Sequence, residues 1–137
     1  FKLNFFIGCM MQASPALDSK SRQIKLGHSL GQGGTSVVYR GDWRGKPLAV
    51  KKILQPTVRE RLAFRREVDI LSAARHRNII KILGFCKEAE IFSIYLELCE
   101  GGSVFDRVHT NNVDLPLSQR CRMLGDVALA MDYLHGQ

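Results

Sequence analysis

Lys51, Glu67 and a run of glycines are the residues of this chain whose types and spacing could do chemistry. Gly31, Gly33 and Gly34 sit in Leu30-Gly31-Gln32-Gly33-Gly34-Thr35-Ser36-Val37-Val38-Tyr39, and Lys51 closes Leu48-Ala49-Val50-Lys51. A backbone without side chains can turn tightly and approach a bulky group, and its N–H donors can cover phosphate oxygens. An ammonium on the next strand could meet the same phosphates. Each signal also has a plainer reading. Glycine clusters mark ordinary β-turns, and a lysine on an edge strand guards against edge-to-edge association.

What must position these residues is a strand, a glycine turn and a strand. Apolar residues flank the glycines on both sides, and Val37, Val38 and Tyr39 are β-formers, whereas a dinucleotide-binding fold needs its glycines to open a helix. Arg40-Gly41-Asp42 with Arg44-Gly45-Lys46-Pro47 reads as the hairpin turn into a third strand over residues 47–53. Alternation there puts Ala49, Lys51 and Ile53 on one face and Leu48, Val50 and Lys52 on the other. A small residue beside a lysine leaves room for a flat ring near an ammonium.

Pro56 ends that strand, and Thr57 with Glu60 fits a capping box that opens a helix over residues 57–75. Leu62, Ala63, Ile70, Leu71 and Ala74 give the helix an inward face at helical spacing, and Glu67 belongs to it. A carboxylate among core-facing residues needs a cation or donors. Either Glu67 lies at the edge of the stripe, solvated or paired with Arg65 or Arg66, or it reaches Lys51 and orients the ammonium toward phosphate. Residues 79–86 and 91–98 read as two more strands joined by Lys87-Glu88-Ala89-Glu90, which makes five strands and one helix.

Leu30-Gly31-x-Gly33-x-x-Ser36-x-Val38 followed by Ala49-Val50-Lys51 resembles the glycine-rich loop and third-strand lysine of eukaryotic protein kinases. Ser36 stands where a third glycine is usual. Glu67 matches the family's helix glutamate, and His76-Arg77-Asn78-Ile79-Ile80 is similar to its histidine-proline-asparagine turn, with Arg77 in the proline's place. His76 therefore reads as a structural turn residue. The resemblance spans residues 24–136 and implies an α+β fold: a kinase-like small lobe of a five-stranded antiparallel sheet with one packed helix, then the first helices of a truncated large lobe.

The same resemblance implies ATP as the ligand. Leu30, Gly31, Gln32, Gly33, Gly34, Thr35, Ser36 and Val38 would cover it, Ala49 would leave room beside it, and Lys51, held by Glu67, would pair with the α and β phosphates. Leu96 matches the gatekeeper position. In Leu96-Glu97-Leu98-Cys99-Glu100-Gly101-Gly102-Ser103, which by itself suits a plain linker, the Glu97 carbonyl and the Cys99 backbone would read the adenine edge. Ser103 matches the position near the ribose, with Asp106 as a second candidate. Leu71 and Ile82 match an apolar spine and read equally as core. Gly41-Asp42-Trp43-Arg44-Gly45-Lys46 and Ile82-Leu83-Gly84-Phe85-Cys86 most resemble the tyrosine-kinase-like serine/threonine group.

The 137 residues carry 20 Lys and Arg against 13 Asp and Glu, a formal net charge of +7. Arg59, Arg61, Arg65, Arg66, Arg75 and Arg77 gather around the one helix without interleaved aromatics, which suits a solvated face or an acidic protein partner better than nucleic acid. Residues 1–11 are apolar but fall short of the about 20 residues a spanning helix needs. Cys9, Cys86, Cys99 and Cys121 lack ligand spacing and fit reduced thiols of a cytoplasmic protein. No metal site, nucleic acid or membrane is expected.

The expected layout is a disordered leader over residues 1–20, a small lobe over 21–98, a hinge over 99–103 and the start of a large lobe over 104–137. Residues 104–110 suggest a short helix and 118–134 a longer one, with Cys121, Leu124, Ala128 and Met131 as its stripe and Val127 and Leu134 beside it. Tyr133-Leu134-His135 resembles the end of the family's first long large-lobe helix. The family's catalytic loop and its Asp-Phe-Gly magnesium site would follow. The expectation is thus a nucleotide cradle without base or metal ligands, inactive alone and poorly stable because its stripe lacks cover. The whole domain would move the ATP γ-phosphoryl to protein Ser or Thr hydroxyls, with magnesium. The rival reading is a pseudokinase or ATP-binding scaffold, and a basic nucleic-acid-binding domain comes third.

Overall fold

The computed structural model of the protein describes residues 24–105 and 115–136. Its elements run β1 (Ile24–Gln32), β2 (Ser36–Trp43), β3 (Lys46–Leu54), α1 (Val58–Ala73), β4 (Ile82–Lys87), β5 (Ile91–Glu97) and α2 (Leu117–His135). The five strands form one antiparallel sheet in the order β1-β2-β3-β5-β4. The 1–20 leader, Cys9, Asp106 and most of the expected 104–110 helix lie outside the described residues. The chain divides into two compact units. One takes the described residues up to Ala74 with Lys81–Leu98, and the other takes Arg75–Ile80 and the described residues from Cys99 onward.

In the first unit, β2 and β3 are joined by only two residues. Arg44 (φ 55°) and Gly45 (φ 79°) both adopt positive φ, which matches the twist of a tight hairpin, and the Gly45 N–H donates to Asp42 Oδ1 at 2.9 Å. The turn is narrower than the sequence suggested, since Arg40, Gly41 and Asp42 stay in β2 and Lys46 and Pro47 in β3. Gly41 has a packing role there. A Cβ at Gly41 would stand 2.9 Å from Val50 Cγ2 and 3.3 Å from Ile24 Cγ2.

The sheet has two working faces. Leu48, Val50, Cys86 and Tyr95 form a buried cluster on one, with Ile24, Trp43 and Leu83 packed against it. On the other, Phe64 of α1 is fully buried and meets Phe92 edge-on at 4.9 Å and Phe85 at 6.2 Å. Burying such a ring contributes roughly 1.5–3 kcal/mol. The Arg61 guanidinium lies 5.1 Å from the Phe92 ring, so this arginine covers apolar surface while its charge stays in water.

Thr57 caps α1 as the sequence predicts. The Glu60 N–H donates to Thr57 Oγ1 at 3.3 Å and the Thr57 N–H donates to Glu60 Oε2 at 2.7 Å, a reciprocal box that satisfies two orphan donors. The inward face is Phe64, Glu67, Val68, Leu71 and Ser72, whereas the expected member Leu62 is 56% exposed. Phe64 is the larger apolar group, and packing it with Val68 and Leu71 at helical spacing turns Leu62 outward. The helix stops at Ala73, two residues early, because Ala74 is extended.

Strand β4 begins at Ile82 and not at residue 79. The reason is local, since the Glu97 side chain takes up a backbone donor beside the ladder. The Lys81 N–H donates to Glu97 Oε1 at 2.7 Å while the Glu97 N–H donates to the Lys81 carbonyl at 3.0 Å. A bulge between Ile82 and Gly84 follows.

In the second unit, the turn after α1 is fixed to α2. The His76 ring stacks on Tyr133 at 5.2 Å and its Nδ1 accepts from the Asn78 N–H, consistent with a structural turn residue. The Asn78 amide donates to the Asp126 carbonyl at 3.0 Å and to Asp126 Oδ1 at 3.2 Å, and the Arg75 N–H donates to the Tyr133 hydroxyl at 3.0 Å. These bonds set the rotation of α2. Asp126, Ala130 and Tyr133 share its inward face, so the expected stripe is corrected: Cys121, Leu124 and Ala128 are exposed and Met131 is half-buried. Among the described residues no helix is long and apolar enough to cross a membrane.

Candidate functional site

The hairpin geometry decides which side chains share a face. With a two-residue turn at Arg44 and Gly45, Trp43 pairs with Lys46, and every later pair follows, so that Val38 lies opposite Lys51 and Arg40 opposite Ala49. On the next strand Lys51 faces Ile94 and Ala49 faces Leu96. Directly opposed residues in a sheet point the same way, so Val38, Ala49, Lys51 and Leu96 form one patch. Leu96 is 2% exposed and pairs with Ile82 on its far side.

Helix α1 brings Glu67 to that patch. Lys51 Nζ donates to both carboxylate oxygens of Glu67 at 2.7 Å, and the side chains are 15% and 9% exposed. The pairing with Arg65 or Arg66 that the sequence left open is not the one formed. A half-buried ammonium held this way is an oriented cation, able to meet an anionic oxygen with little reorganisation.

Gly31 and Gln32 end β1, and Gly33, Gly34 and Thr35 make the turn into β2. It is closed by the Gly33 N–H donating to the Ser36 carbonyl at 2.7 Å. Gly31 pairs with Val38. A Cβ at Gly31 or Gly34 would meet nothing within 4 Å, so the protein's own packing does not require glycine at either position. The bare backbone leaves space on the solvent side of the turn, the kind of cradle that a phosphate group fills. Leu30 is 42% exposed.

Two donors of Thr57, its backbone N–H and its hydroxyl, meet Glu60 Oε2 at the start of α1, each at 2.7 Å. Hydrogen bonds from the Thr57 hydroxyl, from the Thr57 backbone N–H and, more weakly, from the Thr35 hydroxyl hold the Glu60 carboxyl below its ordinary range.

The remaining predicted positions divide between the units. Glu97 ends β5, its backbone N–H and its side chain both engaged with Lys81. Cys99 and Ser103 belong to the second unit and are exposed, and the Cys99 carbonyl accepts from the Gly102 N–H at 3.3 Å. Cys86 is buried, and Cys99 and Cys121 are exposed. Among the described residues no three His, Cys, Asp or Glu side chains gather to hold a metal ion. Sequence reasoning missed Arg40 and Ile94 on the face of the patch. The signal was available, because a two-residue turn dictates the register that places Arg40 opposite Ala49.

A twisted antiparallel sheet whose third strand offers a lysine to a helix glutamate has the architecture of a protein kinase small lobe. The chain belongs to the protein tyrosine and serine/threonine kinase family, whose pattern matches residues 24–137. Among similar proteins, a probable serine/threonine-protein kinase of Dictyostelium discoideum, drkB, is 34% identical over 127 residues, covering 91% of this chain and 18% of its own length. The probable serine/threonine-protein kinase SIS8 of Arabidopsis thaliana is 40% identical over 115 residues, 82% of this chain and 11% of its own. The serine/threonine-protein kinase A-Raf of Mus musculus is 33% identical over 117 residues, 84% and 19% respectively. The chain therefore spans less than a fifth of the length of these relatives.

Proposed function

We infer that these residues are the ATP-binding part of a protein kinase that transfers the γ-phosphoryl group of ATP to serine or threonine hydroxyls of proteins. One observation carries the reading: Lys51 is held at 2.7 Å by Glu67 on the face that also presents Val38, Ala49 and Leu96. In this reading the nucleotide base lies against Val38, Ala49 and Leu96, with Leu30 and Gln32 at its edge. The backbone of Gly31, Gly33, Gly34, Thr35 and Ser36 covers the phosphates. Lys51 neutralises the α and β phosphates, and Glu67 keeps its ammonium aimed at them.

The layout accompanying this reading is a small lobe over residues 21–98, a hinge over 99–103 whose Cys99 backbone and Glu97 carbonyl read the adenine edge, and the start of a large lobe from 104, with Ser103 near the ribose. Magnesium would be held by ligands outside these 137 residues, as would the base that accepts the hydroxyl proton. The chain's own residues bind, orient and neutralise. By themselves they do not transfer phosphate.

The test is transfer of radiolabelled γ-phosphate to a protein substrate by the full-length protein and by the 137 residues alone. Transfer by the full-length protein only is expected. ATP binding by both without transfer by either would favour a pseudokinase scaffold, and transfer by the short chain would contradict the assignment of roles.

A further inference from the structure

We propose that the sheet face turned away from Lys51 carries a binding site for a small carboxylate with a branched aliphatic or aromatic body, held by Lys52 and Ser93. The site lies wholly within the first unit and does not depend on the nucleotide reading.

Its walls come from the positions that alternate with Lys51. Lys51 meets Glu67 on one side of β3, so Val50 and Lys52 point to the other, where Val50 lies opposite Tyr95 and Lys52 opposite Ser93 of β5. Gly41 of β2 presents no side chain there, and Ile24 and Val50 approach each other over it from the strands on either side. A cavity of about 110 Å³ remains, with Ile24, Leu26, Val50 and Ile91 as its apolar walls. An apolar cavity of about 150 Å³ accommodates benzene, so a short branched chain or a single small ring is the matching size.

Lys52 and Ser93 also line the cavity and mark the end that takes a charge. Lys52 is half-buried and Ser93 is 5% exposed. Among the described residues the Lys52 ammonium has no ion pair and the Ser93 hydroxyl has no hydrogen-bond partner. A hydroxyl buried to that degree costs free energy until a partner meets it, and the ammonium beside it favours an anionic one. A carboxylate satisfies both, accepting from the Ser93 O–H and from Lys52 Nζ while its carbon chain covers the walls. Glu88 is the opposing charge on the lining. It is exposed, and its Oε1 accepts from Cys86 Sγ at 3.8 Å, which leaves the half-buried Lys52 as the charge that selects the ligand.

The experiment titrates the full-length protein, labelled at its isoleucine methyl groups, with isovalerate. The Ile24 and Ile91 methyl signals should shift saturably. Lys52→Met should weaken binding about tenfold and Ser93→Ala several-fold. Leu26→Trp, which fills the cavity from a position 44% exposed, should abolish it. The neutral isovaleramide should bind about tenfold more weakly than the acid, a comparison on the wild type alone that decides the role of the charge even where a variant fails to fold. Absence of a saturable shift in the wild type, equal binding of acid and amide, or an unchanged affinity in Lys52→Met would overturn the site. So would tighter binding of isoamylamine than of isovalerate, which would give the selecting charge to Glu88.

Discussion

Lys51 Nζ stands 2.7 Å from each carboxylate oxygen of Glu67, and the two side chains are 15% and 9% exposed. At that burial the pair is neither a surface ion pair of little consequence nor a dry one. Each charge has lost most of its water and relies on the other.

Removing one partner should therefore cost more than removing both. Glu67→Ala is expected to destabilise the first unit by about 1–3 kcal/mol, because a half-buried ammonium loses its carboxylate. The double change Lys51→Met with Glu67→Leu should recover a large part of that loss. Urea unfolding midpoints of wild type, Lys51→Met, Glu67→Leu and the double variant measure the coupling, and strictly additive single changes would show that the pair is energetically idle.

Gly41 should tolerate no side chain. Its missing Cβ would press on Val50 Cγ2 at 2.9 Å and Ile24 Cγ2 at 3.3 Å, both in or against the buried cluster of Leu48, Val50, Cys86 and Tyr95. Gly41→Ala is expected to lower stability by about 1–3 kcal/mol through overpacking. Gly31→Ala, which meets nothing within 4 Å, should leave stability nearly unchanged while impairing nucleotide binding. Thermal unfolding of both variants separates a packing glycine from a ligand-facing one.

Much of this was legible in the sequence. Alternation around Lys51, the Thr57–Glu60 box and the glycine turn marked the strands and the helix start, because each depends on local chemistry that the residue types fix. The residues alone left Glu67 between Lys51 and Arg65 or Arg66, and only the family resemblance favoured Lys51. The inward face of α1 was misjudged at Leu62, and the stripe of α2 at Cys121 and Leu124, for a shared reason. Periodicity identifies a helix but several rotations satisfy it, and the winner is chosen by distant partners: Phe85 and Phe92 around Phe64, and Asn78 and Arg75 around Asp126 and Tyr133. The late start of the strand expected over 79–86 was equally hidden, since it depends on Glu97 reaching back to Lys81.

The carboxyl of Glu60 gives a pH prediction. Its pKa is lowered in the folded protein by hydrogen bonds from Thr57 and then Thr35, so the unfolded chain binds its proton more readily. The contribution is fully present above the unfolded pKa and is lost as pH falls through the folded one, that is, in the acid range below about pH 4.3. The gap in stability between wild type and Glu60→Gln, followed by urea midpoints from neutral to acid pH, should narrow on acidification. A gap independent of pH would contradict the assignment.

The most direct test of the central claim is a binding titration of ATP and of adenosine to the full-length protein, with Lys51→Met alongside. If Lys51, oriented by Glu67, meets nucleotide phosphate, the variant should lose at least about tenfold in ATP affinity, a difference of about 1.4 kcal/mol, and keep its adenosine affinity. Equal ATP affinities in the two proteins, or equal losses for ATP and adenosine, would show that the Lys51 ammonium does not serve a phosphate.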